Sequence, residues 1–170
     1  METKIYLAYG SNMDLAQMKV RCPGARLLGA GRLEGWRLLF KGSRTGAYAT
    51  IEREVGKHVP VLLWRVTAED EKSLDRYEGF PDFYYKRQIQ AVTVNAAGRD
   101  CGRTRGMAYV MHEERRFGLP QGWYAALLER AYERTSVSKK RSSGRPWHTR
   151  RNIAERRPDF SPCVLPIFLS

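Results

Sequence analysis

Residues 25–66 read ARLLGAGRLEGWRLLFKGSRTGAYATIEREVGKHVPVLLWRV, and this stretch decides the fold class. Apolar and β-branched runs at 25–30, 36–40, 48–51 and 59–66 are punctuated by Gly29, Gly31, Gly35, Gly42, Gly46 and Gly56. Short runs at this spacing predict a meandering antiparallel sheet or barrel. Gly42-Ser43-Arg44-Thr45-Gly46 has the composition of a phosphate loop but lacks Gly-Lys-Ser/Thr before a helix, so it reads as a hairpin turn.

Outward from this region the texture becomes mixed. Lys4-Ile5-Tyr6-Leu7-Ala8-Tyr9 reads as a buried strand that stops at Gly10-Ser11-Asn12. Leu15, Met18 and Cys22 then recur at helical spacing, with Asn12 or Asp14 as the cap and Pro23-Gly24 as the stop. On the other side, Thr67-Ala68-Glu69-Asp70 opens a helix: Thr67 caps, Asp70 completes the box, and acids fill the positive first turn. That helix reaches Glu78-Gly79. Strands follow at 84–94 and 106–111. Pro120 suits a first helical position, and Trp123, Leu127, Leu128, Ala131 and Tyr132 follow at helical spacing. The class is α+β.

The 170 residues allow one domain of ordinary size. No apolar run approaches the roughly 18 residues of a membrane span, and the first ten residues lack a signal-peptide core. A cytoplasmic protein without a membrane partner is expected. Cys22, Cys101 and Cys163 form neither a C-x-x-C pair nor a disulfide framework. His58, His112 and His148 lack metal-ligand spacing, and the four Trp residues read as core or half-buried anchors. Residues 136–170 carry eight Lys and Arg against Glu155 and Asp159, which is half of the net charge of +12. The expected organisation is a folded domain over 1–135 and a basic, disordered extension over 136–170. Nucleic-acid binding through phosphate contacts by that tail is a rival function, ranked well below plain disorder.

Two short motifs carry chemistry. In Tyr9-Gly10-Ser11-Asn12, amides at a strand-to-helix turn point forward unpaired, a nest that binds a carboxylate or stabilises an oxyanion. An ordinary turn is the bland alternative. Glu78 falls at the negative end of its helix and is followed by Phe80, Phe83, Tyr84 and Tyr85, which could exclude water. Both effects raise a carboxyl pKa and make it able to accept and return a proton near neutrality. The alternative is a solvent-facing Glu balanced by Arg76 or Lys86. Asp75 reads as a surface group able to pair with an arginine.

Taken together, Tyr9-Gly10-Ser11-Asn12 after the first strand, an all-strand middle and Tyr77-Glu78-Gly79-Phe80-Pro81 after a capped helix resemble the γ-glutamylcyclotransferase family. The resemblance extends through Phe83-Tyr84 and Gly106-Met107-Ala108-Tyr109 and covers about residues 4–134. It implies a small mixed β-barrel flanked by helices and release of 5-oxoproline from a γ-glutamyl amino acid, amine or peptide. It implies that the amides of Gly10, Ser11 and Asn12 in the Tyr9 loop cradle the glutamyl moiety. Glu78 would be the general acid/base, and the substrate's own α-amine the nucleophile. Tyr84 is the best match for a ligand-contacting tyrosine, with Tyr85 and Tyr109 as alternatives. No metal or cofactor is implied. A non-catalytic γ-glutamyl-binding domain is the second reading. The family usually continues its last helix with apolar residues where this chain turns basic.

Overall fold

The computed structural model describes residues 2–43, 46–95 and 97–135. The tip of the predicted hairpin at 44–45 and the predicted extension at 136–170 lie outside the described residues.

Among the described residues, six strands and three α-helices follow in the order β1 Thr3–Ala8, α1 Leu15–Arg21, β2 Arg26–Ser43, β3 Gly46–Thr67, α2 Ala68–Glu78, β4 Tyr84–Val94, β5 Asp100–Met111, β6 Arg116–Phe117 and α3 Gly122–Thr135. The sheet order is β3-β1-β5-β4-β2-β6, and β2 also pairs with β3, so the sheet curls into a near-barrel ring. Its pairings are antiparallel except β1 with β5, where Tyr6 faces Met107 in parallel. The predicted α+β class and mixed barrel flanked by helices agree with this architecture.

The middle of the chain departs from expectation in one respect. The four predicted short strands are two long ones, paired from Arg26–Arg65 to Ser43–Gly46. The ladder shifts register between Leu27 and Gly29 and between Glu34 and Trp36. Gly29 and Gly35 take φ of 152° and 74°, which admits an extra residue and bends the strand without ending it. These glycines mark bulges inside strands, where the sequence pattern suggested turns between them.

The core fills the ring. Tyr6, Leu7, Ala8 and Tyr9 of the first strand and its exit are all buried, as are Leu33, Trp36, Ile51, Leu62 and Ala108. Trp64 is buried too, whereas Trp123 is 60% exposed and is no anchor. The buried face of α3 is Tyr124, Leu128, Ala131 and Tyr132, with Trp123 one position out of phase. The helix also starts at Gly122, two residues after Pro120. In α1, Asp14 is the cap, its carboxylate accepting from the Gln17 amide at 3.0 Å. Met18 and Cys22 are buried, but Leu15 is 45% exposed and faces away from the core.

Helix α2 begins as predicted. The Thr67 hydroxyl accepts from the Asp70 amide at 3.2 Å, and the Asp70 carboxylate accepts from the Thr67 amide at 3.0 Å. Such a cap is worth about 1 kcal/mol. Leu74 is fully buried and roots the helix in the core. Lys86 of β4 binds Glu71 and Asp75 at 2.7 and 2.8 Å, and the Tyr109 hydroxyl of β5 donates to Asp75 at 2.6 Å. Asp75 is thus half-buried and paired with a lysine, not a surface partner for an arginine. These ties fix the direction in which α2 delivers its last residue, Glu78.

Candidate active site

The strand β1 ends after Ala8, and the chain turns through a short 3-10 segment, Ser11–Met13, into α1. Ser11 and Asn12 are both buried. Among the described residues, no hydrogen bond ends on the amides of Gly10, Ser11 or Asn12. Open amides at a turn create a locally positive, donor-lined surface. A Cβ placed on Gly10 would lie 3.7 Å from the Tyr124 hydroxyl and 3.8 Å from the Ala49 Cβ. A methyl group beside Gly10 would therefore sit in ordinary van der Waals contact with Tyr124 and Ala49.

Glu78 meets this turn from the other side. Gly79 takes the left-handed conformation (φ 65°, ψ 38°) and closes α2. The Asn12 Nδ2 donates to Glu78 Oε1 at 2.9 Å and to the Tyr6 hydroxyl at 2.9 Å. Burial pushes the Glu78 carboxyl up from 4.5 to about 7, against the Arg21 charge and the Asn12 hydrogen bond, which both pull it down. Neither Arg76 nor Lys86 balances Glu78, because Lys86 is engaged with Glu71 and Asp75.

Of the four aromatic residues that follow Glu78, Tyr84 stands in its surroundings, where phenols from other strands and from α3 join it. Phe80 is exposed and lies under the Lys86 ammonium. The phenols of Tyr6, Tyr9, Tyr84, Tyr109 and Tyr124 all feel the Glu78 charge, and burial holds each well above its ordinary pKa. They are neutral across the physiological range. Tyr9 donates to the Tyr109 carbonyl, Tyr84 donates to the Ala49 carbonyl at 2.9 Å, and the Ala49 amide donates to Tyr124 at 3.2 Å.

Of the residues read from the sequence, Tyr9, Gly10, Ser11, Asn12, Glu78 and Tyr84 surround one region. Tyr109 borders it with its hydroxyl turned to Asp75. Tyr85 stands apart, its hydroxyl donating to Glu113 at 2.6 Å and its ring against His112. Sequence reasoning missed Tyr6, Arg21, Tyr77 and Tyr124. Arg21 donates to Asn12 Oδ1 at 2.5 Å, to Ser11 Oγ at 3.3 Å and to the Tyr77 hydroxyl at 2.7 Å. Its one sequence signal is its place four residues after Gln17, whose side chain also accepts from it.

A carboxyl group that titrates near neutrality, beside open amides and a wall of neutral phenols, can move a proton while the amides hold an anionic oxygen. The family model for gamma-glutamyl cyclotransferase, AIG2-like proteins matches residues 6–126. The chain belongs to the γ-glutamyl cyclotransferase, AIG2-like family. Human and bovine γ-glutamylcyclotransferase are each 33% identical to it over 91 residues, 49% of this chain and 48% of the relative. The chain thus matches about half the length of these curated relatives. A solved γ-glutamyl cyclotransferase superposes with a TM-score of 0.68 at 24% identity, covering 78% of this chain and 79% of that one. A yeast γ-glutamyl cyclotransferase specific to glutathione superposes with a TM-score of 0.60 at 9% identity, covering 83% and 91%. These structural likenesses establish the γ-glutamyl cyclotransferase fold. Within the described residues no helix is long and apolar enough to cross a membrane.

Proposed function

We propose that the protein releases 5-oxoproline from a γ-glutamyl amino acid, amine or peptide, with Glu78 as the general acid/base. The observation that carries this reading is the Glu78 carboxyl, lifted to about 7 and held by Asn12 next to the open Gly10–Ser11–Asn12 amides. A group that titrates near the working pH exchanges protons most effectively.

The glutamyl end rests on the amides of the turn, between the neutral phenols of Tyr9 and Tyr84. Ionised Glu78 takes a proton from the substrate's α-ammonium. The freed amine attacks the γ-carbonyl carbon, a C–N bond closes the five-membered ring, and the carbonyl oxygen becomes an oxyanion facing donor groups. Collapse of this intermediate breaks the original γ-amide bond, and the Glu78 carboxyl returns its proton to the leaving nitrogen. Two protons in all pass from the attacking to the departing nitrogen, so Glu78 ends ionised as it began. The nucleophile belongs to the substrate, so holding the bent conformer supplies much of the rate.

Purified protein incubated with γ-glutamyl amino acids, γ-glutamyl amines and glutathione tests this reading through the 5-oxoproline formed. Turnover of any one supports it. Saturable binding without 5-oxoproline would instead mark a non-catalytic γ-glutamyl-binding domain.

A further inference from the structure

An asparagine side chain has two near-equivalent orientations, and only one serves Glu78. With Nδ2 toward Glu78 and Tyr6, both contacts are hydrogen bonds at 2.9 Å. In the flipped orientation, Oδ1 would meet a carboxylate oxygen and the amide hydrogens would meet the guanidinium. Arg21 offers donors and no acceptor. Its Nη1 therefore accommodates only Oδ1, which it reaches at 2.5 Å.

The guanidinium is itself fixed. Its other arm binds Gln17 and the Tyr77 hydroxyl, and its carbon lies 3.6 Å from the centre of the Tyr77 ring. Asn12 is 1% exposed, so water does not compete for its amide. No ion pair joins Arg21 to Glu78 among the described residues. The chain of contact runs Arg21, Asn12, Glu78.

We propose that Arg21 is a positioning residue that locks the Asn12 side-chain amide in the orientation that serves Glu78, and so keeps the proton-transfer group aimed through both of its protonation states. This rests on the reading of Glu78 as the acid/base. The other groups around Glu78 cannot take this part: Tyr6 of β1, Tyr9 at its exit, Tyr84 of β4, Tyr109 of β5 and Tyr124 of α3 are phenols kept neutral by burial. Among the described residues, Arg21 is the cation that acts on Glu78.

The test is a double-mutant cycle of Arg21→Met and Asn12→Ala, read by the carboxyl-carbon NMR titration of Glu78 in labelled protein. The Glu78 signal is assigned by its loss in Glu78→Gln, and thermal melts verify folding. Arg21→Met is expected to raise the Glu78 midpoint by about one pH unit, comparable to one hydrogen bond to a charged group. In the Asn12→Ala background the same change should move it by clearly less, because only the direct pull of the guanidinium charge on Glu78 is left to remove. Where Arg21→Met does not fold, Arg21→Lys replaces it, since a lysine keeps the charge but lacks the planar fork. With the lysine, the midpoint still rises in the Asn12 background and not in the Asn12→Ala background. An equal shift in both backgrounds, or none in either, overturns the proposal. The titration needs no turnover. A protein that shows the Asn12-dependent shift yet forms no 5-oxoproline supports the positioning role while refuting the enzymatic reading.

Discussion

Glu78→Gln should make the protein more stable at alkaline pH, and the size of the gain follows from the site. The Glu78 carboxyl stands at about 7 in the folded chain against an ordinary 4.5. The folded state therefore holds this proton more tightly than the unfolded state. Stability from this group is fully present below about 4.5, declines as pH rises, and is lost once pH passes about 7. At about 1.4 kcal/mol per pH unit, burying the ionised carboxylate costs about 3 kcal/mol at pH 8. Glutamine has the same shape, accepts from Asn12 and cannot ionise. Its extra N–H donors need partners, which returns about 1 kcal/mol of the gain. The expected net stabilisation is about 1–3 kcal/mol at pH 8, or roughly 3–10 °C in melting temperature for a domain of this size. At pH 4.5 the difference should nearly vanish or reverse. Melts or urea titrations of both proteins at pH 4.5, 6 and 8 measure it. A Glu78→Gln protein that is less stable than the parent at pH 8, or whose difference is independent of pH, would refute the burial argument.

Tyr84→Phe removes a buried donor from the Ala49 carbonyl and should cost about 1–2 kcal/mol in a denaturant titration. With that hydroxyl engaged by the main chain, its effect on turnover should stay within about fivefold; a loss of 10² or more would make Tyr84 a direct participant. Ser11→Ala breaks contacts to Arg21 and Tyr77 and should cost about 1 kcal/mol, whereas Gly10→Val drives methyl groups at the Tyr124 hydroxyl and should cost about 1–3 kcal/mol. If backbone amides hold the substrate, KM rises more in Gly10→Val than in Ser11→Ala, and the reverse order would assign the holding to side chains. A chain ending at Ser138 should keep both its melting temperature and its activity, because the contacts described around Glu78 come from residues up to Tyr132. It should also shed half the net charge, and aggregation or a melting point lower by several degrees would show that the basic segment belongs to the fold.

The parts of the site that were legible in the sequence are those with a local signal. The Thr67 and Asp70 cap, the glycine after Glu78, and the small polar turn after an apolar strand each follow from neighbours in the chain, and all three stand as read. In α3 the expected face holds at Leu127, Leu128, Ala131 and Tyr132 and fails only at Trp123, since Trp123 and Tyr124 are both aromatic and the pattern does not choose between them. The bulges at Gly29 and Gly35 looked like turns because a glycine with positive φ serves either purpose. The burial that raises the Glu78 pKa is legible in the sequence only in part, through Tyr84. Phenols from β1, β4, β5 and α3 surround it, and closure of a ring through long-range pairings leaves no local trace. Arg21 carries only its spacing from Gln17 as a local signal, because its meaning lies in its contact with the Asn12 amide.

The central claim is that Glu78 carries the proton between the two nitrogens of a γ-glutamyl substrate. The pH dependence of kcat/KM for 5-oxoproline release, measured on the parent and on Glu78→Gln, tests it most directly. The account predicts that the parent rate falls tenfold per unit below a midpoint of about 7. It also predicts that Glu78→Gln is at least about 10² slower with that limb gone. A Glu78→Gln protein within a few-fold of the parent, or one keeping the same acidic limb, would contradict it.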